Sequence, residues 1–168
     1  MTNFFQKIKL SWHWQDYLFA AAMTGGMLIS AFLIPLIAPR FLELIFWAPV
    51  GGIFLTLGMA RLEYRGSVAL MIVPLALILA LLSPLIGGYL GVTASLTELV
   101  LLFRGSYRSK RNRCLGNLVF FTTAIVIDYL LAAVLVGDEF ARLLNQPLYF
   151  AGLVLAGAIA LSSGLGVG

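Results

Sequence analysis

The chain has 168 residues, 61% of them hydrophobic and only 11% charged, with a mean hydropathy of +1.01. A water-soluble domain runs nearer ~45–50% apolar and ~25% charged, so a soluble fold of this size is excluded: it has no way to cover so much apolar surface. The net charge of +4 and pI of about 9.5 read as membrane topology rather than nucleic-acid binding, because the cations flank predicted helix ends and lack interleaved aromatics apart from Tyr107.

The composition predicts an integral membrane protein, a single transmembrane domain over residues 1–168 built only from α-helices. No polar linker interrupts it. The segment before the first helix, MTNFFQKIKLSWHWQDY, lacks the early apolar run and small-residue cleavage site of a signal peptide. Trp12 and Trp14 suit the headgroup layer, and Lys7 and Lys9 suit its cytoplasmic side. His13 is the only histidine and Cys114 the only cysteine. An intrachain disulfide is therefore impossible, and no Cys/His cluster calls for a metal or other cofactor.

Helix one is predicted over 16–37, ended by Pro39, with Asp16 placed to serve the helix start. Ala21 and Gly25, Ala22 and Gly26, and Gly26 and Ser30 are each four residues apart. That spacing makes a smooth stripe for close helix packing, either within the bundle or against another subunit. Helix two is predicted over 42–60, with Glu43 and Trp47 in its first turns. After a polar turn holding Arg61, Glu63 and Arg65, helix three covers 67–82 and carries Pro74, a candidate kink.

Helix four covers 87–103. Gly91, Ala94, Ser95 and Glu98 fall on one face at helical spacing, which predicts that this face points inward. The basic loop beyond it holds Arg104, Arg108, Lys110, Arg111 and Arg113. Helix five covers 115–136 with Thr122, Thr123 and Asp128, and helix six covers 147–168. Six helices place both termini on one side. Lys7, Lys9, Arg61, Arg65 and the basic loop then share that side, and only Arg40 and Arg142 fall opposite. The positive-inside rule makes the shared side cytoplasmic.

Two acids therefore lie at hydrocarbon depth. Asp128 sits roughly 12 Å below the outer end of helix five, and Glu98 roughly 8 Å above the inner end of helix four, at ~1.5 Å per residue. An unpaired ionised carboxylate there costs ~2.5–3.5 kcal/mol or more. The buried acid Glu98 either pairs with Arg104 or another loop cation, or holds helices four and five together or handles a ligand or ion. Asp128 either bonds to Thr122, Thr123 or another helix, or lines a cavity. The outer side also offers Arg40, Glu43, Trp47, Ser83, Asp138, Glu139, Arg142, Asn145 and Tyr149 as polar groups for a small-molecule pocket. No phosphate loop, HExxH motif or nucleophile elbow is present, so the expectation is a protein that is not an enzyme and does not hydrolyse ATP itself.

With these residues in view, the chain resembles the S component, the substrate-binding subunit of energy-coupling factor (ECF) vitamin transporters, nearest the MptD / Trep-Strep-like group. The likeness rests on six short helices, the stripe Ala20–Gly26, and GVTASLTELVLLFRGSYRSKRN. It implies capture of a vitamin or similar nutrient at the outer face of the cell membrane. A transmembrane T subunit and two cytosolic ATPase subunits would energise the step. It implies subunit docking through Ala20, Ala21, Ala22, Gly25 and Gly26, and substrate binding by Trp47, Asp128, Arg142, Asn145 and Tyr149. The family pattern also implies a basic tail after helix six, where this sequence instead reads GLGVG. Two other classes fit the size: an MreD-like structural membrane scaffold, and a small proton-coupled carrier using Glu98 and Asp128.

Overall fold

In the computed structural model the described residues are 12–38, 43–105 and 109–135, with the separate positions 137, 138, 142 and 145. Among them the protein is all-helical: 88% are in helix and none in a strand. Helix α1 runs Trp14–Leu33 and continues as a 3-10 turn, Ile34–Leu36. Helices α2 (Glu43–Leu62), α3 (Ser67–Ala80), α4 (Pro84–Arg104) and α5 (Lys110–Leu135) follow. The helix predicted over 147–168 lies outside the described residues.

The boundaries depart from the sequence reading in instructive places. Helix α4 begins at Pro84, three residues before the predicted 87. Proline lacks an N–H and has a fixed φ, both of which suit the first turn of a helix, and the extended Ser83 precedes it. The same proline disfavours helical geometry in the residue before it, so α3 stops at Ala80 and not at 82. Helix α5 begins at Lys110, not 115. Lys and Arg are good helix formers, so the helix extends through the basic segment ahead of the apolar run. Pro74 lies inside α3, as expected, and Pro49 lies inside α2.

Three stretches are long and apolar enough to cross a membrane: Trp14–Leu36, Pro84–Arg104 and Lys110–Leu135. The apolar parts of α2 (Phe46–Leu62) and α3 are shorter. At ~1.5 Å per residue, α3 reaches only about 21 Å against a hydrocarbon core of ~30 Å. Large apolar side chains such as Leu36, Ile37, Leu81, Phe103 and Val134 are exposed, while Thr24, Thr56, Thr93, Thr97 and Asn117 are buried. An apolar exterior around polar threads is the arrangement that lipid, not water, selects. The protein is membrane-associated.

Helices α2, α3, α4 and α5 form a closed ring of neighbours, and α1 packs against α2 and α3. Hydrogen bonds tie the pairs together. The Thr24 hydroxyl of α1 reaches the Met71 carbonyl of α3 at 2.8 Å. The Trp47 indole N–H of α2 donates to Ser30 Oγ of α1 at 2.9 Å. Asn117 Nδ2 of α5 donates to Thr56 Oγ1 of α2. Such contacts average ~0.6 kcal/mol in a membrane bundle, because the separated helices also find partners. They fix register more than they add stability.

The small-residue stripe of α1 divides between two faces. Ala20 is buried at 2% exposure, together with Thr24, Met27 and Ser30. Gly26 lies under the Phe54 ring of α2, where a β-carbon would come within 2.5 Å of Phe54 Cζ. Ala21 and Ala22 are exposed, and a β-carbon on Gly25 would meet nothing within 4 Å. The inward stripe is therefore Ala20–Thr24–Met27, and the smooth outward patch is Ala21–Ala22–Gly25.

Candidate functional site

The helices meet at two unlike ends. One end gathers the start of α1, the turn between α2 and α3, the end of α4 and the start of α5. There Trp12 lies against Tyr64 (ring centroids 5.3 Å apart) and Tyr17 (6.0 Å). An aromatic cluster at helix ends suits the headgroup layer. Arg61, Arg65, Arg104, Lys110 and Arg111 are exposed at this end.

Glu98 belongs to this end. Its Oε1 accepts the Gly66 N–H at 2.5 Å, and Oε2 approaches the Ala69 N–H at 3.4 Å. These are the N-cap and third residues of α3. A helix start leaves such N–H groups without intrahelical partners. Gly66 has no side chain to cap with, and position 69 holds an alanine where a capping box would place Glu or Gln. Helix α4 supplies the missing carboxylate from outside. Gly66 sits at φ +91°, a left-handed conformation open to glycine at little cost. Glu98 is half-buried, and these bonds place it as a tie between α3 and α4.

The inward face predicted for α4 is also shifted. Its buried residues are Leu90, Thr93, Ala94, Thr97 and Leu101. Ser95 is exposed, with its hydroxyl turned back to the Gly91 carbonyl at 2.8 Å. A β-carbon on Gly91 would meet open space. The face slips by about one residue, a little over a quarter of a turn, and only Ala94 belongs to both the predicted and the observed inward face.

The opposite end contains a cavity of about 350 Å³. Its polar lining comes from Glu43 at the start of α2, Trp47 one turn later, Tyr89 of α4 and Asp128 of α5. Its apolar walls come from Ala31 of α1, Pro35 of the 3-10 turn, and Leu75 and Leu79 of α3. Asp128 lies within electrostatic range of both Glu43 and Tyr89. Trp47 is 5% exposed. Its indole is held by Ser30 on one side and by the edge of Phe121 on another, with centroids 5.9 Å apart. Ser30 in turn donates to the Met27 carbonyl at 2.9 Å, so the ring is set by a chain of bonds through α1. A β-carbon on Gly51 would press on the same ring at 3.0 Å.

The structure brings Trp47 and Asp128 onto one cavity. Arg142 and Asn145 are exposed and outside its lining, and Tyr149 lies outside the described residues. Sequence reasoning named Glu43 among outer polar residues but passed over Tyr89. The available signal was a phenol in the apolar first two turns of α4, one turn before the buried Thr93. Among the described residues no group of three or more His, Cys, Asp or Glu could hold a metal ion. Gly87 of α4 lies close against α3. A β-carbon on Gly87 would fall 2.7 Å from the Ala76 carbonyl, so this α3–α4 contact forms one rigid side of the cavity.

The chain matches no protein-family profile, no curated protein and no solved structure.

Proposed function

We propose that this chain is the membrane-embedded substrate-capture subunit of an ECF-type importer for a vitamin or similar small nutrient. In this reading it spans the cell membrane six times with both termini cytoplasmic, and has no catalytic activity of its own. A transmembrane T subunit and two cytosolic ATPases supply the work. The observation that carries the reading is the cavity at the end away from the basic residues. The positive-inside rule assigns the Arg- and Lys-rich end to the cytoplasm, so the cavity opens to the exterior, where a nutrient is captured. A pocket of this size, with apolar walls and a few placed polar groups, fits a small organic ligand. The outward patch Ala21–Ala22–Gly25 offers a smooth surface for a T subunit, as small residues do between membrane helices.

Native mass spectrometry of the protein purified from its host tests the reading. Co-isolated T and ATPase subunits, together with a retained small molecule, are the expected result. Uptake into vesicles should require ATP and the added subunits. A chain that carries substrate alone, driven by a proton gradient, overturns the proposal.

That outcome belongs to a second reading, a proton-coupled carrier, which one observation favours: Asp128 and Glu43 share the cavity. Glu98, engaged with the start of α3, takes no part in this version.

A further inference from the structure

The inference concerns the ligand of that same cavity and rests on the capture reading. We propose that the cavity takes an organic cation, a protonated amine or quaternary ammonium group carried on an apolar or aromatic body.

The charge pattern points this way. Glu43 and Asp128 both face the cavity, and no Lys, Arg or His is among its described lining residues. Two carboxylates converging on one space repel each other, and the low-dielectric helix walls around them weaken the screening. An occupant with a positive charge would relieve the repulsion and pair with both groups. Anionic nutrients would meet two like charges, and a neutral one would leave both unanswered.

The aromatic groups point to an organic cation over an inorganic one. Trp47 and Tyr89 share the lining with the acids, and aromatic faces attract ammonium groups within about 6 Å of the ring centre. A hydrated metal ion needs several oxygen or nitrogen ligands. Here the remaining walls are hydrocarbon, including Leu75, Leu79 and Ile86. Those walls would cover the body of an organic ligand while the acids hold its charged end.

The test uses the full chain in nanodiscs of neutral phosphatidylcholine, with binding measured by calorimetry against empty nanodiscs. Three probes share one ring and differ in charge: tryptamine (cation), tryptophol (neutral) and indole-3-acetate (anion). Tryptamine should bind about tenfold tighter than tryptophol, and indole-3-acetate weakest. Asp128→Asn and Glu43→Gln, both close in shape to the parent, should each weaken tryptamine about tenfold and change tryptophol less than about twofold. Asp138→Asn, at an exposed acid outside the cavity lining, should change nothing. Equal or tighter binding of either other probe, tryptamine binding indifferent to both cavity substitutions, or no binding of any probe overturns the inference. Charge preference without association with T and ATPase subunits removes the capture reading and leaves this one standing. Retention of a neutral or anionic nutrient with those subunits present does the reverse.

Discussion

Removing the Glu98 carboxylate is the sharpest probe of how α3 is held. Glu98→Ala would strip the acceptor from the Gly66 N–H at 2.5 Å and the Ala69 N–H at 3.4 Å. Loss of an N-terminal cap costs ~0.5–2 kcal/mol. Loss of an anion beside the helix start costs a further ~0.3–1 kcal/mol. Together these give roughly 1–3 kcal/mol for Glu98→Ala. Glu98→Gln keeps an acceptor oxygen and loses the charge, so it should cost only about 0.3–1 kcal/mol. For a protein of this length each kcal/mol moves the melting temperature by ~2–4 °C. Glu98→Ala should therefore lower Tm by about 2–12 °C, and Glu98→Gln by about 1–4 °C. Circular dichroism of the detergent-solubilised protein measures both. Hydrogen exchange at the Gly66 and Ala69 amides should quicken in the alanine variant. An alanine variant that melts with the parent, with unchanged exchange at those two amides, refutes the capping role. So does a glutamine variant as unstable as the alanine one, since the amide oxygen would then have replaced nothing.

Other substitutions separate packed from open glycines. Gly87→Ala drives a methyl group into the backbone of α3 near Ala76 and Ala80, and should cost ~1–3 kcal/mol in the same melting assay. Gly25→Leu enters open space and should leave Tm and ligand binding unchanged while weakening association with a T subunit in a pull-down. Loss of ligand binding together with docking would contradict that separation. Thr56→Val and Asn117→Ala each break the α2–α5 bond and should cost up to ~1.7 kcal/mol. The double variant should cost less than their sum, because both remove the same contact. Strict additivity would place the stabilising contacts of these residues elsewhere.

The residues that were legible early are those whose meaning depends on composition and local spacing. Helices α1–α5, the break at Ser83-Pro84 and the gathering of Arg104, Lys110 and Arg111 follow from local rules of hydropathy, proline geometry and charge. The first helix, expected to reach residue 37, instead gives way at Ile34 to a 3-10 turn that contains Pro35. Trp47 and Asp128 were visible as polar or amphipathic groups within apolar stretches. Their shared cavity was not, because Trp47 is on α2 and Asp128 on α5 and no spacing rule joins two helices.

Sequence alone determined that this chain is helical and belongs in a membrane: each apolar stretch must close its own backbone hydrogen bonds, and that requirement is met residue by residue. Tertiary structure decided what each polar group does. Packing sent Ala20 and Gly26 inward and Ala21 and Gly25 outward, although all four belong to one stripe. It also brought the Glu98 carboxylate to the start of α3. A side chain's partners come from whichever helix lies opposite, and only the assembled bundle specifies that neighbour.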